Sequence, residues 1–255
     1  MLDGLAISSF LHAESLWLNL LAFCWFMTCW VGYTKYAWHR GRDTACLASV
    51  LHLYRKDWMS RLLLREQRIA DASLISNLER NTSFFASSTL LILAGLITVM
   101  GATDQAQNLL RDLPFVTQVS REISEIKLLI MLGIFVYAFF TFSWAMRQYN
   151  FASVLFGSAP LVGEKNVNET ERKAFSSRAA KVLSMAAHSF NLGLRSYYFA
   201  LAMLSWFINP LVFIVITTGV VYVLYRREFK STVLGVLMAT PAHFPEPPPP
   251  TIPEQ

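Results

Sequence analysis

The sequence predicts an all-α, polytopic membrane protein with four transmembrane helices extended by cytoplasmic helices. Two observations carry that expectation. Four long apolar runs occupy residues 16–33, 83–100, 126–145 and 197–225, and they hold no Asp, Glu, Lys or Arg apart from Lys127 at an entrance. Each meets or exceeds the ~18–20 residues a helix needs to cross ~30 Å of hydrocarbon at ~1.5 Å per residue. The second observation is composition. Hydrophobic residues make up 54% and charged residues 15%, against about a quarter charged in soluble domains. Four helices apolar on every face do not fit a soluble bundle.

The first run is read as a retained span. Asp3 and Glu14 precede it with no Lys or Arg, and its end is filled by Cys, Trp and Tyr rather than the small residues that precede a signal-peptide cleavage site. Lys and Arg then set the orientation. None precedes the first run, nine lie between runs one and two, three at the connection from run two to run three (Arg111, Arg121 and Lys127 at the entrance of run three), seven between three and four, and three after the fourth. Sixteen of the 22 therefore fall in two alternate connections, which basic-loop retention assigns to the cytoplasm. The N- and C-termini are then expected outside. Arg226, Arg227 and Lys230 contradict that placement unless they snorkel at the interface. A rival topology bends the fourth run into a hairpin at Asn209–Pro210 and returns the C-terminus to the cytoplasm. Its arms, ~12–15 residues each, are too short to cross, so a proline-kinked single span is preferred.

Both long connections are expected to be helical. Residues 44–81 contain no Pro or Gly, which favours one uninterrupted helix capped by Asp43 or Thr44 and running into span two. Trp58, Leu62, Ile69, Ala72 and Leu78 are expected along one side of it. In the second connection Gly157, Pro160 and Gly163 mark a loop. Asn168-Glu-Thr-Glu-Arg then opens a helix through Ala186. The expected organisation is a single membrane domain over 1–239, including the connections 35–82 and 147–195. A proline-rich tail over 240–255 is expected to be disordered.

The chemistry-bearing residues are sparse. Cys24, Cys29 and Cys46 have no metal-site spacing, and the five histidines form no ligand motif. There is no phosphate-cradling glycine loop, nucleophile elbow or kinase signature. No catalytic residues, cofactor or metal are therefore expected. Nucleic acid is not an expected partner either, because no aromatic-basic recognition module is present. No carboxylate lies within the runs, which counts against a proton relay.

Polar residues concentrate where the runs meet the basic connections. Arg80 and Asn81 open the second run, Arg147, Tyr149 and Asn150 follow the third, and Arg195 precedes the fourth. Under the preferred topology all six share one depth. They read either as a ligand or lipid head-group site for an anion, or as interfacial anchors with tyrosines in the aromatic belt. Anionic membrane lipid and a second copy of the chain are the expected partners, because four spans alone leave little room for a pore.

Residues 79–89 (ERNTSFFASST), 139–150 (FFTFSWAMRQYN) followed by GSAP at 157–160, 193–202 (GLRSYYFALA) and 225–229 (YRREF) carry a family resemblance. Together they resemble the bacterial four-span membrane family catalogued as domain of unknown function 599, over about residues 15–235. The resemblance implies a four-span helical protein of a bacterial inner membrane. It brings no activity and no site residues. The functional expectation is accordingly an integral membrane protein acting as an oligomeric channel or transporter for a small anion, with a lipid-binding scaffold or regulatory protein as the alternative.

Overall fold

A computed structural model describes residues 2–103 and 120–239, with side chains from 16 onward. The expected tail at 240–255, and most of the short connection between runs two and three, lie outside the described residues. The elements are α1 (Leu2–Asp43), α2 (Leu47–Leu62), α3 (Ile69–Gly101), α4 (Arg121–Gly157), α5 (Glu169–Leu204), a 3-10 turn (Ser205–Phe207), α6 (Pro210–Phe229) and α7 (Thr232–Met238). Four helical segments are long and apolar enough to cross a membrane: Leu16–Asp43, Ile69–Gly101, Arg121–Gly157 and Pro210–Met238. The all-α class with four such helices stands, and no strand occurs among the described residues.

The fourth apolar run is not one kinked helix. Leu204 ends α5, and Asn209, with extended φ and ψ of −158° and 134°, caps α6 by accepting from Leu211 N at 2.8 Å. Proline disfavours helical geometry in the residue before it and suits the first helical position, so Asn-Pro ends one helix and starts another. The chain then reverses. Trp206 stacks on Phe213, Arg227 meets Tyr198 and Arg195 faces Glu228. In a continuous helix Arg195 and Glu228 would lie ~50 Å apart. The arm-length objection to a hairpin fails because α5 extends back to Glu169 and α6 forward to Phe229. The 20 residues of α6 alone reach ~30 Å.

The reversal also corrects which end of the bundle the described residues after α6 reach. Ala48 N donates to Glu228 Oε1 at 3.3 Å and Tyr54 Oη to Leu237 O at 3.0 Å. Met238 therefore lies at the same end of the bundle as α2, not at the opposite end as expected. Arg226, Arg227 and Lys230 join the two basic connections there, so 19 of the 22 basic residues share one end. The anomaly in the charge pattern disappears.

The N-terminal connection departs from expectation too. The helix expected over 44–81 is broken at 63–68 without Gly or Pro, and side-chain contacts hold the bend. Trp58 Nε1 and Arg65 Nη1 both donate to Asp71 Oδ1, at 2.6 and 2.5 Å, while Arg68 donates to the carbonyls of Ala159 and Pro160 at 3.0 and 2.6 Å. The start of α2 is capped by Cys46 and Ser49 rather than Asp43 or Thr44. The expected single apolar side is lost with the break: Leu62 is buried, whereas Ile69 is 80% exposed. The continuation of helix into span two holds, since α3 runs unbroken from Ile69 to Gly101. The second connection behaves as expected, with Asn168 and Glu171 forming a capping box at the start of α5.

Helix α5 is the inner element. At the basic end its first half packs against α2 and α4 around Met59, Leu62, Tyr149, Ala180 and Leu183. Its second half is enclosed by aromatic rings: Phe26 and Trp30 of α1, Phe85 of α3, Phe135 and Phe142 of α4, and Phe213 of α6 meet Phe190, Tyr197, Phe199 or Trp206. Gly193 sets the approach of α4 to α5. A Cβ built there would lie 2.6–2.8 Å from the Phe142 ring, which is itself fully buried.

Candidate functional site

Two polar groups occupy the basic end, and a third seals the far end. The first joins α1, α5, α6 and the start of α2. Arg195 Nη2 lies 3.8 Å from Glu228 Oε2, with side chains only 14% and 17% exposed. The guanidinium also sits 5.3 Å from the Tyr33 ring. Side chains on a helix lean toward its N-terminus. Because α5 and α6 are antiparallel, Arg195 leans to the basic end and Glu228 away from it. That lets the two meet across the axial offset. Arg227 Nη1 donates to Tyr198 Oη at 2.7 Å beside them.

The second group lies between α2 and α5. His52 Nδ1 is 2.8 Å from Ser184 Oγ, and Arg55 Nη1 approaches the same hydroxyl at 3.5 Å. Burial holds the His52 imidazole below its ordinary range, and the charges of Arg55, Lys56 and Lys181 push it the same way. Burial likewise lowers the Arg55 guanidinium, offset in part by Tyr149. The imidazole is therefore favoured neutral and surrounded by cations.

At the far end, Lys127 is 1% exposed and its Nζ donates to Trp206 O at 2.9 Å, over the Trp206 ring. Trp206 Nε1 in turn donates to Asn19 Oδ1 at 2.8 Å. This ties α1 and α4 to the hairpin turn with a cation against an aromatic face.

The six residues singled out from sequence fall into different settings. Among the described residues no hydrogen bond or ion pair joins any two of them. Arg80, Asn81, Arg147 and Asn150 are exposed, with Arg147 lying over Phe151 of its own helix at 6.0 Å. Tyr149 is buried in the α2–α4–α5 core, 3% exposed. Arg195 lies deeper and pairs with Glu228. A common depth holds for five of the six, Arg80, Asn81, Arg147, Tyr149 and Asn150, which lie four to eight residues toward the basic end from one aromatic stack, whereas Arg195 lies beyond it. Phe85 of α3 stacks on Phe142 of α4, and the arginines each sit five residues toward the basic end from that stack.

Sequence reasoning passed over Glu228, His52, Ser184, Arg55 and Asp71. A carboxylate inside the Arg226–Lys230 cluster was a usable signal for Glu228. The His52–Ser184 contact spans 132 positions and left no local trace. Among the described residues no cluster of three or more His, Cys, Asp or Glu could hold a metal ion.

The helices, their apolar surfaces and the single basic end define a multi-pass integral membrane protein. The model for the family described as protein of unknown function, DUF599, matches residues 21–233. The chain belongs to that family. No curated protein and no solved structure matches it.

Proposed function

We propose that the protein is a scaffold or regulatory protein of the bacterial inner membrane, whose basic, cytoplasmic end engages anionic lipid and protein partners. The observation behind this reading is the contrast within the bundle. Its interior is closed by Phe26, Phe142, Phe199 and Phe213, each fully buried, while 19 of 22 basic residues gather at one end. A filled interior gives no conduit through one copy. A basic end at the inner leaflet gains ~1 kcal/mol per Lys or Arg near anionic lipid. In this orientation α5 crosses beside the four apolar helices, and the Arg195–Glu228 pair holds its charges within the membrane.

An oligomeric anion channel is the second reading, and one feature favours it. Arg80 and Arg147 lie level on adjacent helices and face outward, where a ring of copies would turn them toward a shared axis. The discriminating experiment is the mass of the complex in detergent, with a density map of any axis. A monomer, or an oligomer with a lipid-filled axis, supports the scaffold. A ring with a water-wide axis, together with anion flux that Arg147→Ala reduces, replaces it with the channel.

A further inference from the structure

The cluster between α2 and α5 has an unusual balance. Arg55 and Lys56 on α2, and Lys181 on α5, surround the His52–Ser184 contact. No carboxylate is among the charges acting on His52, and neither Arg55, Lys56 nor Lys181 forms an ion pair among the described residues. Three arginines at this end keep a carboxylate, Arg61 with Asp57, Arg65 with Asp71 and Arg195 with Glu228. Arg55 is set apart from the other unpaired ones by lying against a histidine and a serine between two helices. Arg55 is half-buried, so its guanidinium cannot simply disperse its charge into water.

Position adds a second argument. Twenty-two residues of α5 separate Ser184 from the Trp206 turn, about 33 Å along a helix and close to the ~30 Å of a hydrocarbon core. With Trp206 at one boundary, Ser184 stands at the other, where lipid phosphates lie. We propose that Arg55, His52, Ser184 and Lys181 form a recognition site for a phosphate group. This rests on the reading of the basic end as the lipid-engaging one.

The chemistry follows from the donors present. Arg55 accepts no proton and offers a planar fork suited to two phosphate oxygens, and Lys181 adds a mobile point charge. Arg55 Nη1 donates to Ser184 Oγ, leaving the hydroxyl proton to neutral His52 Nδ1. A bound phosphate takes the Arg55 and Ser184 donors. It also offsets the cations that hold His52 neutral, so the imidazole gains a proton and becomes a further donor. Binding is thus coupled to proton uptake at His52, which offsets part of the affinity lost as the phosphate itself gains a proton. The phosphate belongs either to a monoester head group or to a soluble phosphate.

Native mass spectrometry of the full chain from detergent tests this, with phosphatidic acid as the probe, phosphatidylcholine as the neutral reference and inorganic phosphate as competitor. Because the phosphomonoester loses charge between pH 8 and pH 6, the pH response is read against His52→Gln. The native chain is expected to retain more of its phosphatidic acid affinity at pH 6 than that variant does, and Arg55→Gln/Lys181→Gln is expected to bind it at least tenfold more weakly. Lys173→Gln/Arg178→Gln removes the same charge from exposed positions on α5 and is expected to change binding less than twofold. Displacement by millimolar phosphate marks a solution ligand, and resistance to it a head group. Should the first double variant fail to fold, Arg55→Lys keeps the charge without the fork and is expected to lose several-fold affinity at unchanged melting temperature. Equal effects of the two double variants, or none from either, overturn the site while leaving a general preference for anionic lipid intact. Equal retention of phosphatidic acid and phosphatidylcholine removes that preference and the site with it.

Discussion

The two ends of α5 are held by different physics. Around Phe199 and Trp206 the contacts are ring against ring, with Phe26, Phe213 and Phe23 at centroid separations of 5.0–6.0 Å, and the polar contacts are those of Lys127 and Asn19 with Trp206. Around Leu183 the packing mixes Met, Leu and Ala with Tyr149 and Phe175 and is supplemented by directed bonds: His52 to Ser184, Trp58 to Asp71, and Arg68 to two carbonyls of the α4–α5 loop. In lipid, burying apolar surface adds little between helices, so close ring packing must supply the contact energy. At the basic end water is near, and hydrogen bonds to charged groups are needed to hold α2 and the loop in place. One helix thus serves as a packing core in one half and a polar scaffold in the other.

Substitutions distinguish the halves, and the largest effect is expected in the aromatic one. Phe142→Ala removes a fully buried ring and is expected to cost about 3–5 kcal/mol, measured as a fall in denaturant or thermal midpoint in detergent. An unchanged midpoint would mean the α4–α5 contact is not a stability determinant. Gly193→Ala should cost about 1–3 kcal/mol by overpacking against the same ring. Adding Phe142→Leu should then recover part of the loss. Simple additivity of the two would argue against the close approach.

Between the halves lies the Arg195–Glu228 pair. A double-mutant cycle of Arg195→Ala and Glu228→Ala should show a coupling of about 0.5–3 kcal/mol, because truncating one partner strands the other. A coupling near zero would demote the pair to a pass-by contact. Arg195→Ala should also shorten lipid retention less than Arg55→Gln does.

A smaller, pH-dependent effect belongs to the basic end. The folded chain holds His52 below its unfolded value of about 6.5, so the unfolded state binds the proton first. Stability is then level above about pH 6.5 and falls as pH drops below it, by at most about 1.4 kcal/mol per unit, until the folded-state histidine also titrates. His52→Gln should flatten this slope in a series of melts from pH 7.5 to 5. A slope that persists in the variant assigns it to another group. The smallest effect is expected for Arg80→Ala and Arg147→Ala, both exposed, within about 0.5 kcal/mol of stability. In the channel reading these two would instead alter flux.

Much of this architecture was legible. Long uncharged runs have few stable alternatives to membrane-length helices, and the Asn168–Glu171 box names its own helix start. The hairpin was less so. Asn209-Pro210 carried the turn chemistry, but apolar residues on both sides made two arms read as one run. Seven charged residues on α5, from Glu169 to Arg195, hid the fact that its other half is apolar and enclosed. The break at 63–68 carries no Gly or Pro, and beside the nearby Asp71 contacts it is held by Arg68 on the distant Ala159 and Pro160 carbonyls. For the candidate site, the basic end was readable from charge counts, while the pairing of Arg195 with Glu228 and of His52 with Ser184 was not.

Sequence alone determined the helical class, the four apolar helices and the segregation of basic residues, because length, hydropathy and charge are properties of each segment by itself. Tertiary structure decided the direction of the last helix, the end at which the described chain finishes and which arginines keep a carboxylate. Those depend on contacts between segments far apart in the chain: Trp206 on Phe213, Glu228 beside Arg195 and the α2 start, Leu237 beneath Tyr54. Hydropathy records what surrounds a helix. Only packing records which way it runs.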